Sequence, residues 1–305
     1  MKRILLLALP LLLLGGAAAP ASRSAAGSDC SKTSIGLTAL TDLGRGKYQG
    51  FEGGLYPGGR NAPSGRYLKL GLSRARAVKP VGGRIVLLSV GMSNTTMEFS
   101  TFKPLADADP RKNPRLTIVD GAQGGWDADK IVTQGDPYWA TVDARLRAAG
   151  TTAGQVEVVW MKEALPGPTE GFPAYARHLQ RSERTIIATL RRRFPNLKLV
   201  YLSSRIYAGY ASSRLNPEPY AYQSGFAVKW LVQDRMRGKI KGPWIGWGPY
   251  LWADGLHARR DGLTWACSDF GPDGTHPSRQ GAQKVASLLL RFFTTNRTAK
   301  TWFVR

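Results

Sequence analysis

Histidine, cysteine and acid are scarce in this sequence: 305 residues hold three histidines, two cysteines and 21 acidic side chains against 43 basic ones. So few sulfur and imidazole ligands, none of them clustered at ligand spacing, exclude a zinc or redox-metal centre, and no cofactor is expected. The acid deficit leaves a formal charge of +22, which usually points to nucleic acid. Zinc-finger spacing, an RNA-binding aromatic motif and a basic heptad region are all lacking, however, so nucleic acid is disfavoured as a partner. No internal repeat occurs, and past the leader no apolar run is long enough to span a membrane.

Met1-Lys2-Arg3 precedes a short leucine-rich stretch that ends in Ala19-Pro20-Ala21, the pattern of a signal peptide over 1–21. The mature chain is therefore expected to be secreted or periplasmic. Cys30 sits in AAGSDC, without the leucine-containing run of a lipoprotein site. In an oxidising compartment Cys30 and Cys267 are expected to form one disulfide, the alternative being two buried thiols acting as small hydrophobes. An exported chain this basic is expected to meet anionic polysaccharide or an envelope surface, or else simply to carry a solvated arginine-rich face. Arg177, Arg181, Arg184 and Arg191 to Arg193 fall on or at the end of one helix, opposite Tyr175, Leu179, Ile186 and Leu190.

Residues 22–83 are rich in Gly, Ser and Arg and show no long periodic segment. They read as a loop-rich extension with one short hairpin, packed on a main domain over 84–305. From residue 84 apolar runs alternate with helical patterns, which argues for a parallel sheet covered on both faces. Strands are expected at 84–90, 116–121, 156–161 and 197–204, with a weak fifth in the Gly/Pro-interrupted segment near 243–254. Asp136-Pro137 opens a helix that ends at Gly150, a second runs over 173–193, and a third over 220–237.

What is present is a nucleophile motif and a base motif at opposite ends. RIVLLSV, at 84–90, runs into Gly91-Met92-Ser93-Asn94, so a glycine turn would lift Ser93 at the carboxyl edge of the sheet, where open α/β sheets bind ligands. Asp273-Gly274-Thr275-His276 lies in one loop ahead of an amphipathic helix carrying Ala282, Val285, Ala286, Leu289 and Phe293. A serine, an imidazole and a carboxylate are the minimum for acyl transfer. His178 on a charged helix and His257 in a Trp/Gly/Arg segment compete poorly with His276 as the base.

These residues resemble the SGNH, or GDSL-type, hydrolases, and within them the carbohydrate acetylesterases related to sialate O-acetylesterase. The resemblance spans about 84–293 through four blocks in order: Gly91 to Asn94, IVDGAQGGWD, VEVVWMKEA, and Asp273 to His276. It implies a three-layer α/β/α sandwich with a mostly parallel, flavodoxin-like sheet. It also implies a Ser93-His276-Asp273 triad and an oxyanion hole from the N–H groups of Ser93 and Gly121. The third block departs from the family's glutamine-glycine-glutamate, leaving Lys162 and Glu163. Lys162 would be the nearest replacement donor or else a charge facing solvent, with Asn94 the next side chain to consider. Glu163 would contact substrate or form an ordinary charge pair.

Trp244, Trp247, Tyr250, Trp252 and Trp265 crowd one segment. They would form a sugar-stacking wall, Trp247 and Trp252 foremost, or a core cluster. The implied activity is hydrolysis of an ester, in particular O-acetyl on a carbohydrate. The competing expectation is a basic polysaccharide-binding protein of the same fold with little or no activity.

Overall fold

The computed structural model describes residues 27–305; the expected signal peptide at 1–21 lies outside them. After a helical turn α1 (Leu40–Leu43) comes a hairpin of β1 (Lys47–Tyr48) and β2 (Phe51–Glu52), then α2 (Gly65–Arg76). The central sheet follows as β3 (Ile85–Gly91), β4 (Leu116–Asp120), β5 (Val156–Lys162), β6 (Leu199–Ser203) and β7 (Trp244–Trp247), in spatial order β4-β3-β5-β6-β7 and parallel throughout. Counted from β3 this is the order 2-1-3-4-5, the flavodoxin-like winding, whose switch point lies between the first and third strands. All seven residues of β3 and of β5 are buried, because crossover helices cover both faces of a parallel sheet.

Those helices are α3 (Ser93–Asp107), α4 (Ala128–Thr133), α5 (Gly135–Ala148), α6 (Ala174–Arg193), α7 (Tyr220–Met236) and α8 (Arg279–Thr295), with a last turn α9 (Lys300–Phe303). α3 packs on α8, and α6 packs on α7 and α4, giving the two helical layers of the sandwich. Among the described residues no helix is long and apolar enough to cross a membrane.

The segment before the sheet holds more structure than its composition suggests. α2 has twelve residues and buries Tyr67, Gly71 and Ala75, and its low apolar content and two glycines had masked the helical period. β7 is an edge strand, and side chains from this segment satisfy its outer backbone groups. The hydroxyl of Tyr67 donates to the Ile245 carbonyl at 2.5 Å, and Trp247 N–H donates to the Tyr56 hydroxyl at 3.1 Å. An unpaired edge is thus closed without a further strand. The expected disulfide joins Cys30 to Cys267, tying the start of the described chain to the turn before the Asp273 loop.

Candidate active site

β3 ends at Gly91, which adopts φ +154° with its Cα packed against the Lys162 carbonyl and the Thr95 side chain, so any Cβ there would collide. The chain can therefore turn sharply from strand to helix, and Ser93 becomes the first residue of α3. The helix start leaves early N–H groups without intrahelical acceptors and adds a partial positive charge. Gly274, at φ +62° against the Tyr210 carbonyl, makes the turn that brings Asp273 and His276 face to face.

Ser93 Oγ lies 2.7 Å from His276 Nε2, and His276 Nδ1 lies 2.5 Å from Asp273 Oδ2. The other carboxylate oxygen of Asp273 accepts the N–H groups of Thr275 and His276, each at 3.0 Å. Partial burial raises the Asp273 carboxyl, but the His276 N–H, the imidazole and the Thr275 N–H outweigh it and hold the group below the usual carboxylate range. Asp273 is thus kept ionised, fixing the imidazole with Nδ1–H toward it and the Nε2 lone pair toward Ser93. Asn94 Nδ2 donates to the Thr275 carbonyl at 3.0 Å, so Asn94 braces the histidine loop from within the cleft lining.

Three expected site residues stand elsewhere. The N–H of Gly121 donates to Ser89 Oγ at 3.0 Å, and those of Ala122 and Gln123 are also engaged. The next glycine of the block, Gly124, lies beside Ser93: a Cβ built on it would sit 3.8 Å from that of Ser93, and its N–H has no backbone acceptor among the described residues. Lys162 is fully buried, its ammonium held by both oxygens of Glu98 from α3. β5 sends this side chain beneath the helix rather than into the cleft. Burial depresses the Lys162 pKa to about 8 despite Glu98. Glu163 is also fully buried, neither oxygen having a partner among the described residues. Burial, then the nearby Glu183 and Asp127, push its carboxyl well above the usual range, which favours the neutral acid in the packing layer.

The tryptophan wall resolves as core. Trp247 donates to the Leu55 carbonyl at 2.9 Å and Trp252 to Glu218 at 2.7 Å, and both are buried. Neither lines the cleft above Ser93.

That cleft, of about 340 Å³, has Ser93 and His276 in its wall together with Met92, Trp126, Leu165 and Leu215. Its buried polar members are Asn94, Arg205, Asn216 and Thr275. Sequence reasoning passed over Gly124, Trp126, Arg205 and Asn216. Trp126 and Gly124 lay inside the second block, and Arg205 stands two residues past the end of β6, at the same carboxyl edge as Ser93; those positions were the available signals. Asn216 follows a stretch with no periodic cue. Among the described residues no group of three or more His, Cys, Asp or Glu side chains could hold a metal.

A strand-end serine at the switch point of a 2-1-3-4-5 parallel sheet, with its histidine and aspartate delivered by the loop before the last long helix, decides the fold type. The fold is that of the SGNH hydrolases. No family model matches the chain, and no curated protein matches it in sequence. Solved structures to which it is similar include a GDSL-like lipase from Bacteroides thetaiotaomicron, at 12% identity over 74% of this chain and 95% of that one, with a TM-score of 0.40. An acetyl-xylooligosaccharide esterase mutant from Geobacillus stearothermophilus is similar at 13% identity over 70% of this chain and 96% of that one, with a TM-score of 0.42. Likeness at this level says nothing of substrate.

Proposed function

We propose that this protein is a serine esterase of the SGNH type that cleaves O-acyl groups, acetyl foremost, from a carbohydrate. The observation that carries the reading is the unbroken relay from Ser93 Oγ through His276 to Asp273, at 2.7 and 2.5 Å, opening into a cleft. Ser93 attacks the ester carbonyl while His276 Nε2 takes its proton. The imidazolium is stabilised by Asp273 and returns the proton to the leaving alcohol. Water, deprotonated by the same imidazole, then releases the acid from Ser93. The tetrahedral oxyanion is received by the N–H groups of Ser93 and Gly124, helped by the α3 N-terminus.

Export through the leader, and attraction of the strongly basic chain to acidic glycans, belong to the same proposal. Both are consistent with an enzyme working on envelope or extracellular carbohydrate. The test is turnover of a chromogenic acetate ester together with mass mapping after a serine-directed phosphonate. Turnover with the adduct on Ser93 is expected. A folded protein with neither would favour the rival reading, a glycan-binding protein that kept the fold and lost the chemistry.

A further inference from the structure

The guanidinium of Arg205 is 1% exposed, yet among the described residues no carboxylate lies within ion-pair distance of it. Its polar contacts are few: Nη2 donates to the Thr275 carbonyl at a long 3.3 Å, and Nε is buried with no acceptor. A charge in that state costs several kcal/mol unless something compensates it. The carboxylates around it are committed elsewhere. Glu98 is clamped by Lys162. Asp273 serves His276. Glu218 accepts from Trp252 Nε1 and from the N–H groups of Ala208 and Tyr222. The remaining open direction is the catalytic cleft, which Arg205 lines.

A second orphan group lies in the same wall. Asn216 is 3% exposed, and its amide nitrogen donates to the Leu165 carbonyl at 3.0 Å and to the Tyr175 hydroxyl at 2.9 Å. Those two bonds fix the amide so that Oδ1, buried and without a donor among the described residues, is left as an acceptor. Asp127, the acid in the cleft lining, is occupied as the N-cap of α4, accepting from the N–H groups of Asp129 and Lys130.

We propose that the cleft is built for an ester bearing one carboxylate, which Arg205 binds, with Asn216 Oδ1 accepting a hydroxyl or N–H of the same molecule. This rests on the esterase reading and names its substrate class. One guanidinium without a second cation in the lining matches a singly charged carboxylate rather than a phosphate monoester, and a planar fork suits it geometrically. A carboxylate bound there would offset the buried charge of Arg205.

The experiment compares matched esters in kcat/KM. On the acyl side the pair is the 4-nitrophenyl monoester of glutaric acid against 4-nitrophenyl pentanoate; on the alcohol side it is acetylated glucuronic acid against acetylated glucose. Preference for the acid member of one pair is expected, and which pair shows it locates the carboxylate. In Arg205→Met that preference should fall about 100-fold, chiefly through KM, as expected when one partner of a desolvated charge pair is removed. Arg205→Lys should restore part of it.

An equal loss on both members of each pair would overturn the proposal, because that is what a role in bracing Thr275 or in holding the oxyanion would produce. Absence of any preference in the wild type would overturn it too. If Arg205→Met fails to fold, melting of the wild type with glutarate against glutaramide decides instead. Stabilisation by glutarate alone supports the site, and equal effects refute it. Turnover of no ester by folded wild type sinks the esterase reading, and the melting comparison still tests the anion site independently.

Discussion

His276 and His178 are both held by carboxylates, and the difference lies in what the second ring nitrogen meets. His276 gives Nδ1 to Asp273 and presents Nε2 to Ser93 at 2.7 Å. His178 has Glu170 at 2.8 Å on Nδ1 and Asp129 at 2.9 Å on Nε2, so neither nitrogen is left to take a proton from a substrate. The first arrangement makes a base. The second makes a clamp, tying α4, α6 and the loop that carries Leu165 over the cleft. Acid-paired histidines are thus distinguished by the vacancy on the far side of the ring, which no local sequence pattern reports.

The comparison breaks most visibly in activity. Ser93→Ala and His276→Ala should each lower kcat by about 10⁶, as members of a triad that act as a unit, whereas His178→Ala should leave kcat within about threefold, a barrier change well under 1.4 kcal/mol. Steady-state kinetics on one chromogenic ester checks all three, and a catalytic loss in His178→Ala as large as in His276→Ala would erase the distinction. Asp273→Asn should cost about 10⁴ in kcat, because an amide can hold the ring in the wrong tautomer. The corresponding Glu170→Gln on the clamp should leave kcat near wild type.

Smaller effects fall on stability. Lys162→Met leaves Glu98 buried without its cation, so unfolding free energy should drop by about 3 to 5 kcal/mol. Denaturant titration measures this, and Lys162→Met with Glu98→Leu should recover much of it. A normally stable Lys162→Met protein would contradict the buried pair.

The smallest effect concerns pH. The folded-state pKa of Glu163 is raised above its unfolded value, so its burial costs nothing below the unfolded value of about 4.3. The cost grows as pH climbs toward the folded one. Glu163→Gln should therefore stabilise at pH 8 and lose that advantage as pH falls toward 4. Asp273 runs the other way, since its depressed folded pKa contributes stability above the usual carboxylate range that is lost on acidification. Urea midpoints at several pH values should show the two slopes with opposite signs, and a pH-independent Glu163→Gln effect would count against a neutral buried acid.

Much of this protein was determined locally and is legible in one dimension. Apolar runs of strand length between helical periods dictate a parallel sheet, since only crossover helices can cover such strands on both faces. The pairing of Asp273 with His276 needs one tight turn, and the exposure of Ser93 needs one glycine at a strand end; both are short-range demands that leave a mark in the spelling of the chain. What a side chain meets across the sheet is not short-range. The family resemblance offers Lys162 as an oxyanion donor or a charge facing solvent, yet it turns beneath α3 to Glu98, because alternation along β5 sends neighbouring residues to opposite faces and the helix packed there decides which face is open. Gly121 and Gly124 stand three residues apart in one block, and only the fold of the loop shows that Ser89 takes the N–H of Gly121 while Gly124 lies beside Ser93. The tryptophans are aromatic in either setting, and burial made them core. Arg205 and Asn216 meet at the cleft from opposite ends of the long connection between β6 and α7. Their unmet hydrogen-bonding capacity arises from neighbours that fail to arrive, a property of three-dimensional packing that composition and periodicity do not carry.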